Sequence, residues 1–483
     1  MHSFDMIIRN GTVVTAADQA RCDIGIKGGR ISALAESLED AKEEIDAADR
    51  LVLPGGIDAH VHLDQPMSDG SRMADDFTSG THAAAAGGTT TVIPFACQLK
   101  GGTLREAVND YHARAEGKAL VDYAFHLIVT DPTEQVLGQE LPALIADGYT
   151  SFKIYMTYDD LKLGDREILE VLSLARHEGA MAMIHAENSD CIAWLAERLL
   201  SAGKTAPKYH AAAHTKVVER EATHRAITLA EVVDVPILIV HVSGVDAVEQ
   251  IRHARARGLR IYAETCPQYL YLTADDLDLE GFEGAKCICS PPPRDKANQA
   301  LIWNALEEGV FDVFSSDHAA FRFDDPEGKK LHGARASFDK VPNGIPGLET
   351  RLPLLFSAAL SERRISLQQF VALTATNPAR IYGLYPRKGT IAVGADADLV
   401  IWDPTREVTI RNDDLHHNVD YTPYEGMVVK GWPTITISRG EVVFADGKIR
   451  GESGRGRFLR CDRPQLARPP GDAGIATSDS APH

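Results

Sequence analysis

A chain of 483 residues with 44% hydrophobic content can bury a large core, and its length allows either one barrel-sized domain with additions or two to three domains. The formal net charge of -19 excludes nucleic acid and anionic membrane as partners, because both select basic surfaces, and leaves a small substrate that is not polyanionic. Seven scattered cysteines, no basic segment followed by an apolar one at Met1–Asp5, and no run of about 18 apolar residues together predict reduced thiols and a cytoplasmic location.

Residues 5 to about 53 read as short strands broken by turns: Met6–Val14, Asp23–Lys27, a Gly28-Gly29 turn, and Arg30–Leu34. These are too few to close a core. The same alternation of strand and glycine returns at Gly389–Trp402 and Thr434–Phe444, which predicts one small β domain assembled from both chain ends. The expected limits are 1–54 and 386–460, around a central unit at 55–385.

The central unit opens within the run Leu51-Val-Leu-Pro-Gly-Gly-Ile-Asp-Ala-His60-Val-His62. Residues two apart on a strand face the same way, so His60 and His62 form half of a metal site; by itself the pair also fits a surface strand showing two polar side chains. Seven further apolar runs follow, alternating with helical stretches: Thr90–Phe95, Tyr123–Val129, Phe152–Met156, Ala182–His185, Ile237–Val242, Ile261–Glu264 and Val313–Asp317. Eight strands over some 330 residues, with no G-x-G-x-x-G turn after the first, predict a (β/α)₈ barrel rather than an open doubly wound sheet. Cys287-Ile-Cys289 lacks a second Cys/His pair at zinc-finger spacing and reads as two buried thiols. After Cys461 the composition turns to Arg, Pro, Gly, Ala and Ser, the mark of a 461–483 tail that packs on a neighbour or stays mobile.

Several of these strands end on chemistry. The first carries His60 and His62, the fourth Lys153, the fifth His185, the sixth His241 and the eighth Asp317. Barrel strands converge on one rim at their carboxyl ends, so these sequence-distant residues become neighbours. Each has an ordinary reading alone: a core histidine, or an aspartate capping a helix. Jointly they describe a metal centre. A protonated Lys153 beside two divalent cations would be repelled; carbamylation by CO₂ turns it into a carboxylate able to bridge both metals, and bridged metals acidify a shared water to hydroxide.

At this point the sequence resembles the dihydropyrimidinase and hydantoinase branch of the cyclic amidohydrolases, from about Met6 to about Phe458. The resemblance rests on Pro-Gly-Gly-Ile-Asp58-Ala-His60-Val-His62, Ser-Phe-Lys153-Ile-Tyr-Met-Thr-Tyr158, Ile-His185-Ala-Glu-Asn188, Val-His241-Val-Ser243, Glu-Thr-Cys-Pro-Gln-Tyr269, Ser290-Pro-Pro-Pro-Arg294, Ser316-Asp317-His318 and Pro342-Asn343-Gly344. It implies a barrel with a composite β-sandwich, a homotetramer, and two zinc ions bridged by hydroxide and by Lys153 as N6-carboxylysine. One zinc would sit on His60, His62 and Asp317 and the other on His185 and His241.

The same resemblance gives Tyr158 the developing oxyanion, Asp317 the proton transfer, and Ser290 and Asn343 the substrate, held through backbone groups. The implied reaction opens a dihydropyrimidine or 5-substituted hydantoin to an N-carbamoyl amino acid. Allantoin- or succinimide-type rings are the alternative, and a non-catalytic scaffold is a further one.

Dihydroorotases carry an arginine two places after the second histidine, where this chain has Asp64, which would repel a substrate carboxylate. Specificity is therefore expected at Asp64 and its loop, with Leu63, Met67, Phe95, Tyr155 and Leu161 lining a pocket for uncharged ring substituents. Pro94 and Ala319 depart from the residues common in the family.

Overall fold

The structure, a computed structural model, describes residues 2–469. Eight parallel strands form its centre: β1 (Gly56–Val61), β2 (Thr89–Cys97), β3 in two pieces (Asp122–Tyr123 and His126–Ile128), β4 (Ser151–Tyr155), β5 (Met181–His185), β6 (Ile237–Ile239), β7 (Ile261–Thr265) and β8 (Val313–Phe314). Each pairs with the next in order from β1 to β8. All residues of β1, β2, β4 and β5 are buried, the expected state of strands covered on both faces, and it explains why they read as unbroken apolar runs.

The ring closes where β8 returns to β1. Val61 bridges His318, and the His62 N–H donates to the His318 carbonyl at 2.7 Å. Below that seam the Asp58 carboxylate accepts the Ser316 N–H and meets the Arg351 guanidinium at 3.2 Å, both side chains fully buried. The architecture is a (β/α)₈ barrel, as the alternating pattern predicts.

Three strands differ from the sequence reading. The single run Tyr123–Val129 is interrupted, although both pieces keep one register on β2, with Tyr123 opposite Val92 and His126 opposite Phe95. Its first piece is paired on the other side by the C-terminal chain: Tyr123 N–H donates to the Arg457 carbonyl and Leu459 N–H to the Tyr123 carbonyl. β6 and β8 are shorter than Ile237–Val242 and Val313–Asp317, ending two residues before His241 and three before Asp317. Both site residues stand on backbone of positive φ, 38° and 49°, which a regular strand cannot accommodate.

Two further sheets flank the barrel. One has four strands, all N-terminal, in the order Arg30–Ala35, Asp23–Lys27, Phe4–Arg9, Ala41–Asp46. The other has seven and joins the two chain ends, Leu399–Thr409 pairing antiparallel with Leu51–Pro54. Met6, Ile8, Ile24 and Val52 from one end share a core with Leu399, Ile401 and Ile437 from the other.

The tail reading requires a correction over its described part. Residues 461–469 dock on their own barrel: Cys461 and Ala467 are buried, Cys461 N–H donates to the Gly148 carbonyl, and Arg463 pairs with Glu178. Residues 470–483 lie outside the described residues.

Candidate active site

The strand ends bring together all six side chains expected to hold metal. His60 Nε2 lies 2.8 Å from Lys153 Nζ and 3.2 Å from Asp317 Oδ1, while His62 Nε2 is 3.6 Å from the same oxygen. On the other side His185 Nδ1 and His241 Nε2 are 2.9 Å apart. One ligand atom each from His60, His241 and Asp317 falls within 4.8 Å of the others.

Three histidines are aimed from behind. Glu264 Oε1 meets His60 Nδ1 at 2.6 Å, Gln65 Oε1 meets His62 Nδ1 at 2.6 Å, and Glu187 Oε2 meets His185 Nε2 at 2.8 Å. A carboxylate or amide on one ring nitrogen turns the other toward the centre, the arrangement that orients metal-binding imidazoles. Glu187 is itself held by His214, at 2.9 Å. His241 turns Nε2 toward His185 and the centre, while its Nδ1 is buried with no protein partner.

The sequence reading gave no role to Glu264, Gln65 or Glu187. Glu264 carried the same signal as Lys153, a charged residue in an apolar strand; Glu187 lay in a quoted motif and Gln65 just beyond one, and neither had such a mark.

The electrostatics follow from burial. Lys153 is buried between the rings of Phe95 and Tyr155, each 4.7 Å from Nζ, and burial pushes its ammonium down to about 8. Burial likewise raises the Glu264 carboxyl to about 8. His60 and His241 are driven well below the usual imidazole range, chiefly by burial, and so stay neutral as ligands must. Asp317 goes the other way: burial alone would raise it, but His60 and His62 hold it down to about 2.

A cavity of about 670 Å³ opens above these groups, lined by His62, Lys153, Tyr158, His185, His241, Ser290, Asp317 and Asn343, and its size suits a small molecule. Tyr158 follows β4 at φ 67°, its ring 5.5 Å from that of His185, and its hydroxyl accepts from Asn343 Nδ2 at 3.4 Å. Burial raises its phenol, keeping the proton on. Ser290 Oγ lies 3.4 Å from His210 Nε2, and the Asn343 side-chain oxygen is buried without a partner.

The loop that begins at Asp64 lines the cavity through Gln65, Met67 and Asp69, but Asp64 itself, Leu63 and Phe95 are placed differently from the expectation. Asp64 does not line this cavity. It pairs with Arg114 at 3.0 Å and faces a separate polar recess, because its backbone N–H is tied to the Asp75 carbonyl and turns the side chain outward. Leu63 is buried against Gly80, and Phe95 lies beneath the His60 and His62 rings, so neither lines the pocket. Met67, Tyr155 and Leu161 do, and Ala319 joins Met67, Met73 and Phe321 in an apolar patch beside it. Pro94 is buried within β2. Cys287 and Cys289 are buried free thiols, as expected.

Comparison with known proteins agrees with this geometry. The model of the amidohydrolase family matches residues 51–443. D-hydantoinase of Ralstonia pickettii is 46% identical over 457 residues, 94% of this chain and 98% of that protein, and D-hydantoinase of Rhizobium radiobacter is 45% identical over the same span. The crystal structure of dihydropyrimidinase from Brevibacillus agri NCHU1002 superposes with a TM-score of 0.92 at 43% identity, covering 95% of this chain and 99% of that one. Matched by the family model over most of its length and by relatives almost end to end, the chain belongs to the amidohydrolase family.

Proposed function

We propose that the protein hydrolyses a cyclic amide or ureide, a dihydropyrimidine or 5-substituted hydantoin, to an N-carbamoyl amino acid, using two zinc ions. The observation that carries this is the convergence of four histidines, one lysine and one aspartate on the floor of a single cavity, in a chain whose similar proteins include D-hydantoinases and a dihydropyrimidinase.

His60, His62 and Asp317 would hold one ion and His185 and His241 the other, with carboxylated Lys153 between them. The fit is supported by the donor set, four imidazoles that converge with Asp317 and Lys153, and by the absence, among the described residues, of any carboxylate within ion-pair distance of Lys153. A neutral amine adds to CO₂ and releases one proton, and a lysine pushed down to about 8 supplies that amine near neutral pH. When bound, zinc supplies Lewis-acid polarisation of the ring carbonyl and acidifies water to a pKa of about 7.

The chain's own groups do the rest. Asp317, held ionised, accepts the proton of the attacking water and returns it to the departing ring nitrogen. Tyr158 donates its phenolic hydrogen to the oxygen on which charge develops, an interaction strongest in the transition state. The backbone around Ser290 and Asn343 holds the ureide edge, and Met67, Tyr155 and Leu161 receive an uncharged substituent.

The division at 55–385 and 386–460, a homotetrameric assembly and a cytoplasmic location belong to the same reading. No described helix is long and apolar enough to cross a membrane. The test is turnover of dihydrouracil, 5-substituted hydantoins, allantoin and succinimide by zinc-loaded protein. Preference for the first two is expected; hydrolysis of allantoin or succinimide alone would replace the substrate, and a stable, zinc-free protein without turnover would favour a scaffold.

A further inference from the structure

Lys329 is fully buried in the loop that follows β8 and takes no part in the chemistry above. Its Nζ donates to two backbone carbonyls, Ile288 at 2.9 Å and Pro342 at 2.7 Å. Ile288 stands two residues before Ser290, and Pro342 immediately precedes Asn343. The Gly344 N–H also donates to the Ile288 carbonyl, at 3.0 Å, so the two segments meet at one oxygen. The loop that delivers the lysine is itself pinned, since Lys329 N–H donates to the Arg322 carbonyl and a Cβ at Gly328 would collide with that oxygen.

Burying an amine costs free energy unless its donors are used, and here the acceptors are carbonyls rather than carboxylates. Burial pushes the ammonium down to about 7. Among the described residues no carboxylate lies within ion-pair distance of it. Two carbonyls drawn onto one nitrogen instead fix a distance.

We propose that Lys329 is a positioning residue for substrate, setting the separation of the two segments that carry Ser290 and Asn343. This rests on the reading that those segments hold the ring. The effect reaches further through Asn343, whose side chain donates to the Tyr158 hydroxyl. The six metal-holding residues come from β1 and the residue after it, from β4 and β5, and from the turns after β6 and β8, whereas Lys329 Nζ bonds only to Ile288 and Pro342.

Lys329→Met stops one atom short of Nζ, keeps most of the apolar stem and removes both hydrogen bonds. In the zinc-loaded full chain it should raise KM for dihydrouracil roughly tenfold or more, with kcat lowered less and metal content per chain unchanged. Lys329→Gln, which places two N–H donors at the end of an arm as long as methionine's, should fall between wild type and Lys329→Met. Unchanged KM in a folded variant of either kind overturns the proposal. So does failure of both to fold, which would make Lys329 a stability residue. A crystal structure of wild type with N-carbamoyl-β-alanine separates the two readings: a ureide bound away from Ser290 and Asn343 sinks the assignment of those segments, whereas a ureide on them with unchanged KM in Lys329→Met sinks the role of Lys329 alone.

Discussion

Lys153, within β4, and Lys388, against the start of β3, are both buried, and their surroundings push them in opposite directions. Lys388 lies near the start of β3, where Asp122, Asp396 and Asp398 approach its Nζ at 2.7, 3.1 and 2.6 Å, and Arg439 completes the cluster on Asp122. These carboxylates outweigh burial and raise its ammonium above the usual range. Lys153 has an imidazole nitrogen and two aromatic faces instead, and burial lowers it.

A buried charge with partners is a structural joint, here tying the barrel to the sheet that carries Arg439. A buried charge without them is unfinished, and completing it requires a group from outside.

The largest test of this contrast is Lys153→Ala, for which metal and activity should disappear together; full metal content with normal turnover, by elemental analysis and assay, would refute the bridging role. Lys388→Met should do the reverse. It leaves buried carboxylates uncompensated and should cost about 3–5 kcal/mol in urea unfolding while turnover per folded chain stays near wild type. A variant of unchanged stability would show that the cluster is no joint.

Next comes Tyr158→Phe, expected to lower kcat by about 10²–10³-fold with zinc content and stability preserved. A change confined to KM would assign the phenol to ground-state binding. Glu187→Gln, which weakens the support behind His185, should reduce metal affinity or turnover by about 10–100-fold. Competition with a chelator distinguishes the two effects, and wild-type retention of zinc and rate would exclude the role.

The smallest effect concerns pH. Lys329 is pushed down to about 7 from an unfolded value of 10.5, so between those pH values the unfolded chain holds a proton that the folded chain lacks. Stability from this residue therefore rises with pH, by at most about 1.4 kcal/mol per unit. Lys388, raised instead, contributes stability that is complete below 10.5 and lost only as pH rises through its folded value. Urea unfolding at about pH 7.5 and 9 should show wild type gaining on Lys329→Met but keeping a constant margin over Lys388→Met; equal slopes would mean that the two lysines are buried alike.

Much of this was legible in the chain. Strands buried on both faces are apolar throughout, so charged or imidazole residues at their ends stand out, and His60, His62, Lys153 and His185 did. The pairing of both chain ends was visible in repeated strand-and-glycine grammar. Glu187 and Gln65 were not distinguishable, because a polar residue after a strand is ordinary until the ring nitrogen it faces is known. Asp64 was misplaced for the opposite reason: its spacing from His62 was informative, but its direction was set by Arg114 and Asp75.

The sequence by itself determined the barrel, the rim and the family, since each depends on periodicity and on residue types at strand ends, which are local properties. The tertiary structure alone decided that Asp64 faces away, that residues 461–469 close the base of the barrel, and that Lys329 ties the segments around Ser290 and Asn343. Those outcomes depend on contacts between segments tens to hundreds of residues apart. No spacing along the chain records such contacts, because they exist only once the barrel has closed.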